Sequence, residues 1–190
     1  MQGGEVAGIR IRHLTLLRGA DSFALTGHTL ADAFRFAGVP FVRPDGLPSH
    51  RVADGAPFTP DPAALETLDA LYANAARELE RVRASQAGAG PVRLWPHHFD
   101  IATLISRRGD GSGEPERQVG CGFVAGDAQI PEPYWYVTPW PYPPADALPA
   151  LSMGRWNTKG WTGAVLREGE GDGGRFLDEA LALLLGLRLA

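Results

Sequence analysis

Residues 92–106 read VRLWPHHFDIATLIS; after a polar insert the chain resumes as VGCGFVAGD at 119–127 and IPEPYWYVTPWPYP at 130–143. These segments alternate as strands do. Val119, Cys121 and Phe123 are separated by glycines, and Tyr134, Tyr136 and Trp140 share one face of their strand while Trp135 and Val137 take the other. The segment 92–105 predicts one long strand, or two joined at Pro96, since proline cannot donate to a central ladder. Three of the five tryptophans, two of the five histidines and three of the four tyrosines lie within 92–143. The strand signal and the chemically versatile side chains therefore coincide.

Outward from this stretch the pattern changes period. Asp61 and Pro62 form an N-cap and N1 pair, and Leu65, Leu68, Leu71, Tyr72, Ala75, Leu79 and Val82 recur at three- and four-residue spacing, which predicts the longest helix over 62–84. Before it, residues 39–61 hold several prolines and little periodicity, as expected of a surface connector. Residues 9–17 alternate with a phase change near His13, predicting a bulge or a strand buried on both sides. A turn at Arg18, Gly19, Ala20 and Asp21 leads to a second strand, and Thr29 with Asp32 has capping-box spacing ahead of a short helix ending at Gly38. Downstream, Lys159 and Gly160 sit between two strand-like segments as a hairpin signal. Phe176, Leu177, Ala180, Leu181, Leu184 and Leu185 line one face of a closing helix. No regular βα alternation appears, and no G-x-G-x-x-G follows a strand. The expected architecture is a single α+β domain over 1–190, a twisted antiparallel sheet with about three helices packed on it.

The LWPHHFDIATL segment, followed by GFVAGD, IPEPYWYVTPWP and the pattern W-x-x-x-G-W-x-G-A-V-L, resembles a bacterial family of unknown function across roughly residues 45–170. The resemblance implies a bacterial origin and a shared fold; it supplies no reaction and no catalytic residue.

Composition narrows the function classes. Hydrophobic residues make up 44% and charged residues 21%, within the ordinary globular range, while 24 glycines and 16 prolines predict many turns. A net charge of -4 with no long basic run argues against a nucleic-acid surface or an anionic membrane as partner. Cys121 is alone, so neither an intramolecular disulfide nor a cysteine-based zinc site is expected. The N-terminus has no apolar run after a basic start, and no stretch approaches 18 apolar residues, so a cytoplasmic location is the expectation.

His98 and Asp100 are the sharpest chemical candidates. On a regular strand they point to one face, about 6.5–7 Å apart, with His97 and Phe99 on the other. Such a pair serves as a base with its orienting carboxylate, as two metal ligands, or as a buried histidine held by its neighbour. No H-x-x-x-H and no clear third ligand accompanies it. Glu132, held stiffly between Pro131 and Pro133, completes a catalytic trio with His98 and Asp100; Asp127 reads as a turn-former that hydrogen-bonds its own loop. Trp95, His97, Tyr134, Tyr136, Trp140 and Trp156 are the candidate ligand contacts, since aromatic side chains either stack on small molecules or fill cores. Thr26, Gly27, His28 and Thr29, at a helix start, offer backbone N–H groups to an anion. Cys121, in an apolar context, reads as an inert core thiol.

Three function classes follow. The preferred one is a domain that binds a small polar or aromatic molecule in an aromatic-lined pocket. The second is a hydrolase-like or metal-dependent enzyme using His98, Asp100 and Glu132. The third is a structural or protein-interaction domain, a homodimer with an aromatic face. The identity of any cofactor stays open.

Overall fold

The computed structural model describes residues 7–10, 14–41, 55–95, 98–107 and 117–186. The expectations that touch His13, His50, Pro96, His97, the 42–54 part of the connector and the 108–116 part of the polar insert lie outside these residues. The chain divides into two compact units, Met1–Leu71 and Tyr72–Ala190.

In the first unit, β1 (Ala7–Arg10), β2 (Thr15–Arg18) and β3 (Asp21–Ala24) pair antiparallel in chain order. Residues 9–17 thus contribute to two strands rather than one: Arg10 pairs with Thr15 and Ala7 with Arg18. Gly19, at φ 58°, makes the turn from β2 to β3. Helix α1 (Leu30–Ala37) carries the expected capping box, with the Thr29 hydroxyl accepting from the Asp32 N–H at 3.3 Å and the Asp32 carboxylate accepting from the Thr29 N–H at 3.0 Å. This cap also disposes of the anion site expected at residues 26–29. The Gly27 N–H donates to the Phe58 carbonyl, the His28 N–H to the Leu25 carbonyl and the Thr29 N–H to Asp32, so all three donors are engaged within the protein.

The boundary between the units falls within α2 (Pro62–Ser85). Its start is the one expected, with Asp61 Oδ1 accepting from the Ala63 N–H at 3.0 Å. Among the described residues the second unit then builds a six-stranded antiparallel sheet from β4 (Arg93–Trp95), β5 (Asp100–Arg107), β6 (Arg117–Val124), β7 (Tyr134–Trp140), β8 (Arg155–Asn157) and β9 (Gly163–Arg167). The spatial order is β4-β5-β6-β7-β9-β8. The chain closes with α3 (Gly173–Gly186).

Strand alternation divides this sheet into two unlike faces. One face carries Phe123 beside Trp135, ring centroids 5.0 Å apart, with Tyr72 of α2 edge-on to Phe123 at 5.8 Å. Helix α3 buries Phe176, Leu177, Ala180, Leu181 and Leu184. Arg81 joins α2 to α3, donating to Asp178 at 2.9 Å and to the Gly174 carbonyl at 3.1 Å. Cys121 lies buried on the Phe123 side, and burial pushes its thiol up to about 12, which keeps it protonated and unreactive at neutral pH. The opposite face presents Asp100, Ala102 and Leu104 from β5, Gly120, Gly122 and Val124 from β6, and Tyr134, Tyr136 and Thr138 from β7. The α+β class, the antiparallel sheet and the three helices agree with the sequence. Among the described residues no helix is long and apolar enough to cross a membrane.

The asymmetry of the faces is testable on neighbouring ladders. Phe123→Ala, in the fully buried layer, should cost roughly 3–5 kcal/mol. Leu104→Ala, on the opposite face and 40% exposed, should cost no more than about 1 kcal/mol. Urea denaturation of the two variants measures the difference.

Candidate functional site

The open face of the second unit's sheet holds a cleft of about 390 Å³. His98, Asp100, Val124, Asp127, Tyr134, Tyr136, Thr138, Tyr142 and Trp161 line it. Its floor follows from the pairing register. Val124 stands between Asp100 and Tyr134, and Gly122 stands opposite Tyr136. A Cβ at Gly122 would meet the Tyr136 hydroxyl at 2.7 Å, its Cζ at 2.8 Å and the Ile101 carbonyl oxygen at 2.6 Å. Because glycine has no Cβ, the tyrosine ring lies across β6 and its hydroxyl donates to Asp100 Oδ2 on the next strand. Asp100 is 6% exposed, and its Oδ1 has no hydrogen-bond partner among the described residues.

His98 reaches the cleft by a different route from the one the sequence suggested. Trp95 pairs directly with Asp100, so β4 and β5 are two strands of a hairpin rather than one run, and His98 and Phe99 belong to the turn between them. The same-face alternation expected for His98 and Asp100 does not apply, because His98 is not on a strand. Phe99 sits at φ 52°, a left-handed conformation unusual for a bulky residue. The Tyr72 hydroxyl donates to the Phe99 carbonyl, and the two rings lie 5.6 Å apart, so α2 holds this turn in place. Burial pushes the Tyr72 hydroxyl up to about 12, which keeps it a donor at neutral pH.

Asp127 is the turn-former expected, and it also serves the cleft. Its Oδ1 accepts from the Gln129 and Ile130 N–H groups at 2.7 and 2.8 Å, while Oδ2 accepts from the Tyr134 hydroxyl at 2.7 Å. Burial alone would raise this carboxyl. The Tyr134 hydroxyl, the two N–H groups and the charge of His98 outweigh it and hold Asp127 below the usual carboxylate range. Tyr134 and Tyr136 are displaced upward, first by burial and then by their carboxylate partners, so both remain donors. The cleft thus contains two tyrosine–carboxylate pairs, with the tyrosine rings 6.4 Å apart. Trp161 closes one wall, its ring edge-on to Tyr136 at 6.2 Å and 78°. The Asn157 amide donates to the Trp161 carbonyl at 2.8 Å, and the Thr138 hydroxyl to the Thr162 carbonyl at 2.8 Å, fixing that loop to β7.

Of the expected site residues, His98, Asp100, Tyr134 and Tyr136 meet in this cleft. Others do not. Glu132 is exposed, faces Arg167 at 3.6 Å and is not among the lining residues, so the His98, Asp100 and Glu132 trio does not assemble. Trp140 has the expected orientation, but its place at the end of β7 leaves it 60% exposed and packed edge-on to Tyr142 at 5.3 Å. Trp156 pairs with Ala164 on the helix-covered side and donates from its indole to the Pro149 carbonyl at 2.7 Å. Trp95 sits opposite Asp100 at the sheet edge, outside the lining. His97 lies outside the described residues. Among the described residues, no group of three histidine, cysteine or acidic side chains gathers to hold a metal.

Besides Asp127 and Trp161, the lining includes Val124, Thr138 and Tyr142, none of them a candidate from the sequence. Alternation from Tyr134 and Tyr136 points to Thr138, and Trp161 precedes a glycine over which its ring packs. Nothing in the proline run around Tyr142 marks it.

Two outcomes test this geometry. Gly122→Ala should cost about 1–3 kcal/mol by overpacking against Tyr136 and the Ile101 carbonyl, measured by urea titration. Asp127, with its folded pKa depressed, contributes stability that is complete above the ordinary value of 3.8 and is lost as pH falls through the lowered one. Asp127→Asn should therefore be less stable than the native chain at neutral pH but lose less stability on acidification; parallel acid-limb slopes would contradict this.

Comparison with known proteins returns no match to a family model, to a curated protein or to a solved structure.

Proposed function

We propose that this chain is a small-molecule-binding protein whose ligand, polar or aromatic, occupies the cleft on the open face of the sheet. The observation that carries this reading is the convergence of the Asp100 and Asp127 carboxylates, two tyrosine hydroxyls and His98 within one aromatic-walled cavity of about 390 Å³. A volume of this order, apolar walls and a few oriented polar groups are the ordinary make-up of a specific small-molecule site. The Tyr136 and Trp161 rings meet at a steep angle, so a flat ligand has one face to lie on and one edge to abut.

A hydrolase-like activity has less support. His98 and Asp100 share the cleft, but the third carboxylate that the trio requires is turned toward Arg167.

A thermal-shift screen over sugars, nucleotides, amino acids and amines tests the proposal. A ligand confined to the native state raises stability by about 2.7 kcal/mol at a hundred times its Kd. At least one class should raise the melting temperature of the native chain and do so less for Trp161→Ala. A flat screen across all four classes overturns the reading.

A further inference from the structure

We infer that the ligand is an organic cation carrying N–H donors, a protonated primary or secondary amine, seated with its nitrogen at the Asp100 carboxylate and its carbon frame against Tyr136 and Trp161. This inference rests on the small-molecule reading above and assigns the chemical class of that ligand.

The first support is the charge of the wall. Among the described lining residues there are two carboxylates and no lysine or arginine; His98 alone can carry a positive charge. A phosphate or carboxylate ligand would meet like charge without a guanidinium or ammonium to receive it. The two carboxylates are not equivalent. Asp127 is engaged by two backbone N–H groups, the Tyr134 hydroxyl and the charge of His98. Asp100 has the Tyr136 hydroxyl on Oδ2 and nothing among the described residues on Oδ1, although it is 6% exposed. A carboxylate so withdrawn from water is costly unless a donor or an opposite charge meets it. Asp100 is the anchor for this reason: its carboxylate lines the cleft and one of its oxygens lacks a donor among the described residues.

The second support is the aromatic frame. Tyr134, Tyr136 and Trp161 stand at tilted or edge-on angles, 58° and 78° between successive planes, and present rings toward a shared space. Ring faces attract cations, indole most strongly, and the attraction grows as water is excluded. Neutral polyols also stack on such rings and donate to carboxylates, but they leave the charge of Asp100 unmatched. Quaternary ammonium ions match the charge and give the carboxylate no further hydrogen bond. A protonated amine does both.

Isothermal titration of the full chain with benzylamine, benzyltrimethylammonium, benzyl alcohol and benzoate separates these cases. Benzylamine should bind about tenfold or more tightly than benzyl alcohol, as expected for a hydrogen bond to a charged group, with benzoate weakest and benzyltrimethylammonium below benzylamine. Asp100→Asn should bring benzylamine and benzyl alcohol within about twofold of each other; if that variant does not fold, the ranking on the native chain decides alone. Benzyl alcohol or benzyltrimethylammonium binding as tightly as benzylamine would overturn the amine assignment and leave the cleft reading standing. The amine assignment also falls alone if none of the four binds while a neutral metabolite does. No binding by these probes or by any metabolite removes both.

Discussion

Gly122 has no side chain, and the open face of the sheet depends on that. The glycine stands opposite Tyr136 on β7, while Asp100 lies diagonally across on β5, opposite Val124. The missing Cβ leaves room for the Tyr136 ring to cross the strand and place its hydroxyl on Asp100. The same strand sends Phe123 to the opposite side, where Trp135 and Tyr72 enclose it. One alternating segment, VGCGFV, therefore supplies both the buried layer against the helices and the shallow floor of the cleft.

That floor carries an electrostatic imbalance which the rest of the fold does not relieve. Tyr136 occupies one oxygen of Asp100, and the other is buried without a partner among the described residues. Asp127 shows what a fully satisfied carboxylate looks like in the same neighbourhood, with both oxygens accepting from its own loop and from Tyr134. The contrast between these two acids separates a structural carboxylate from one available for recognition. Stability alone gives no reason to bury Asp100 with half of its acceptors unused.

The fold was largely legible from the sequence because its signals are local and redundant. Asp61 and Pro62 mark the start of α2, Thr29 with Asp32 caps α1, and the alternation of 119–123 and 134–140 fixes two central strands. The site was legible only in part. Tyr134, Tyr136, His98 and Asp100 were found because they cluster in sequence, yet the geometry assumed for the last two was wrong. The spacing of 92–105 allows one long strand or two joined at Pro96, and the pairing of Trp95 with Asp100 makes it two antiparallel strands with His98 off the ladder. Trp156 and Trp140 were indistinguishable by type from Trp161. What separates them is the order β7-β9-β8, which turns Trp156 to the helix side and brings the loop before β9 over Tyr136. Long-range strand order leaves no trace in the spacing of aromatic residues.

The walls of the cleft come from four separate connections. His98 lies in the turn between β4 and β5, Asp127 in the loop between β6 and β7, Tyr142 beyond the end of β7, and Trp161 in the loop between β8 and β9. The floor belongs to the ladders themselves. Substitutions in any one connection alter a single wall without moving the hydrogen-bonded register beneath it, because loops tolerate change that strands do not. Selection can thus retune what the cleft accepts one side at a time, so relatives that keep the glycine at 122 and the acid at 100 can diverge widely in specificity while inheriting the same scaffold.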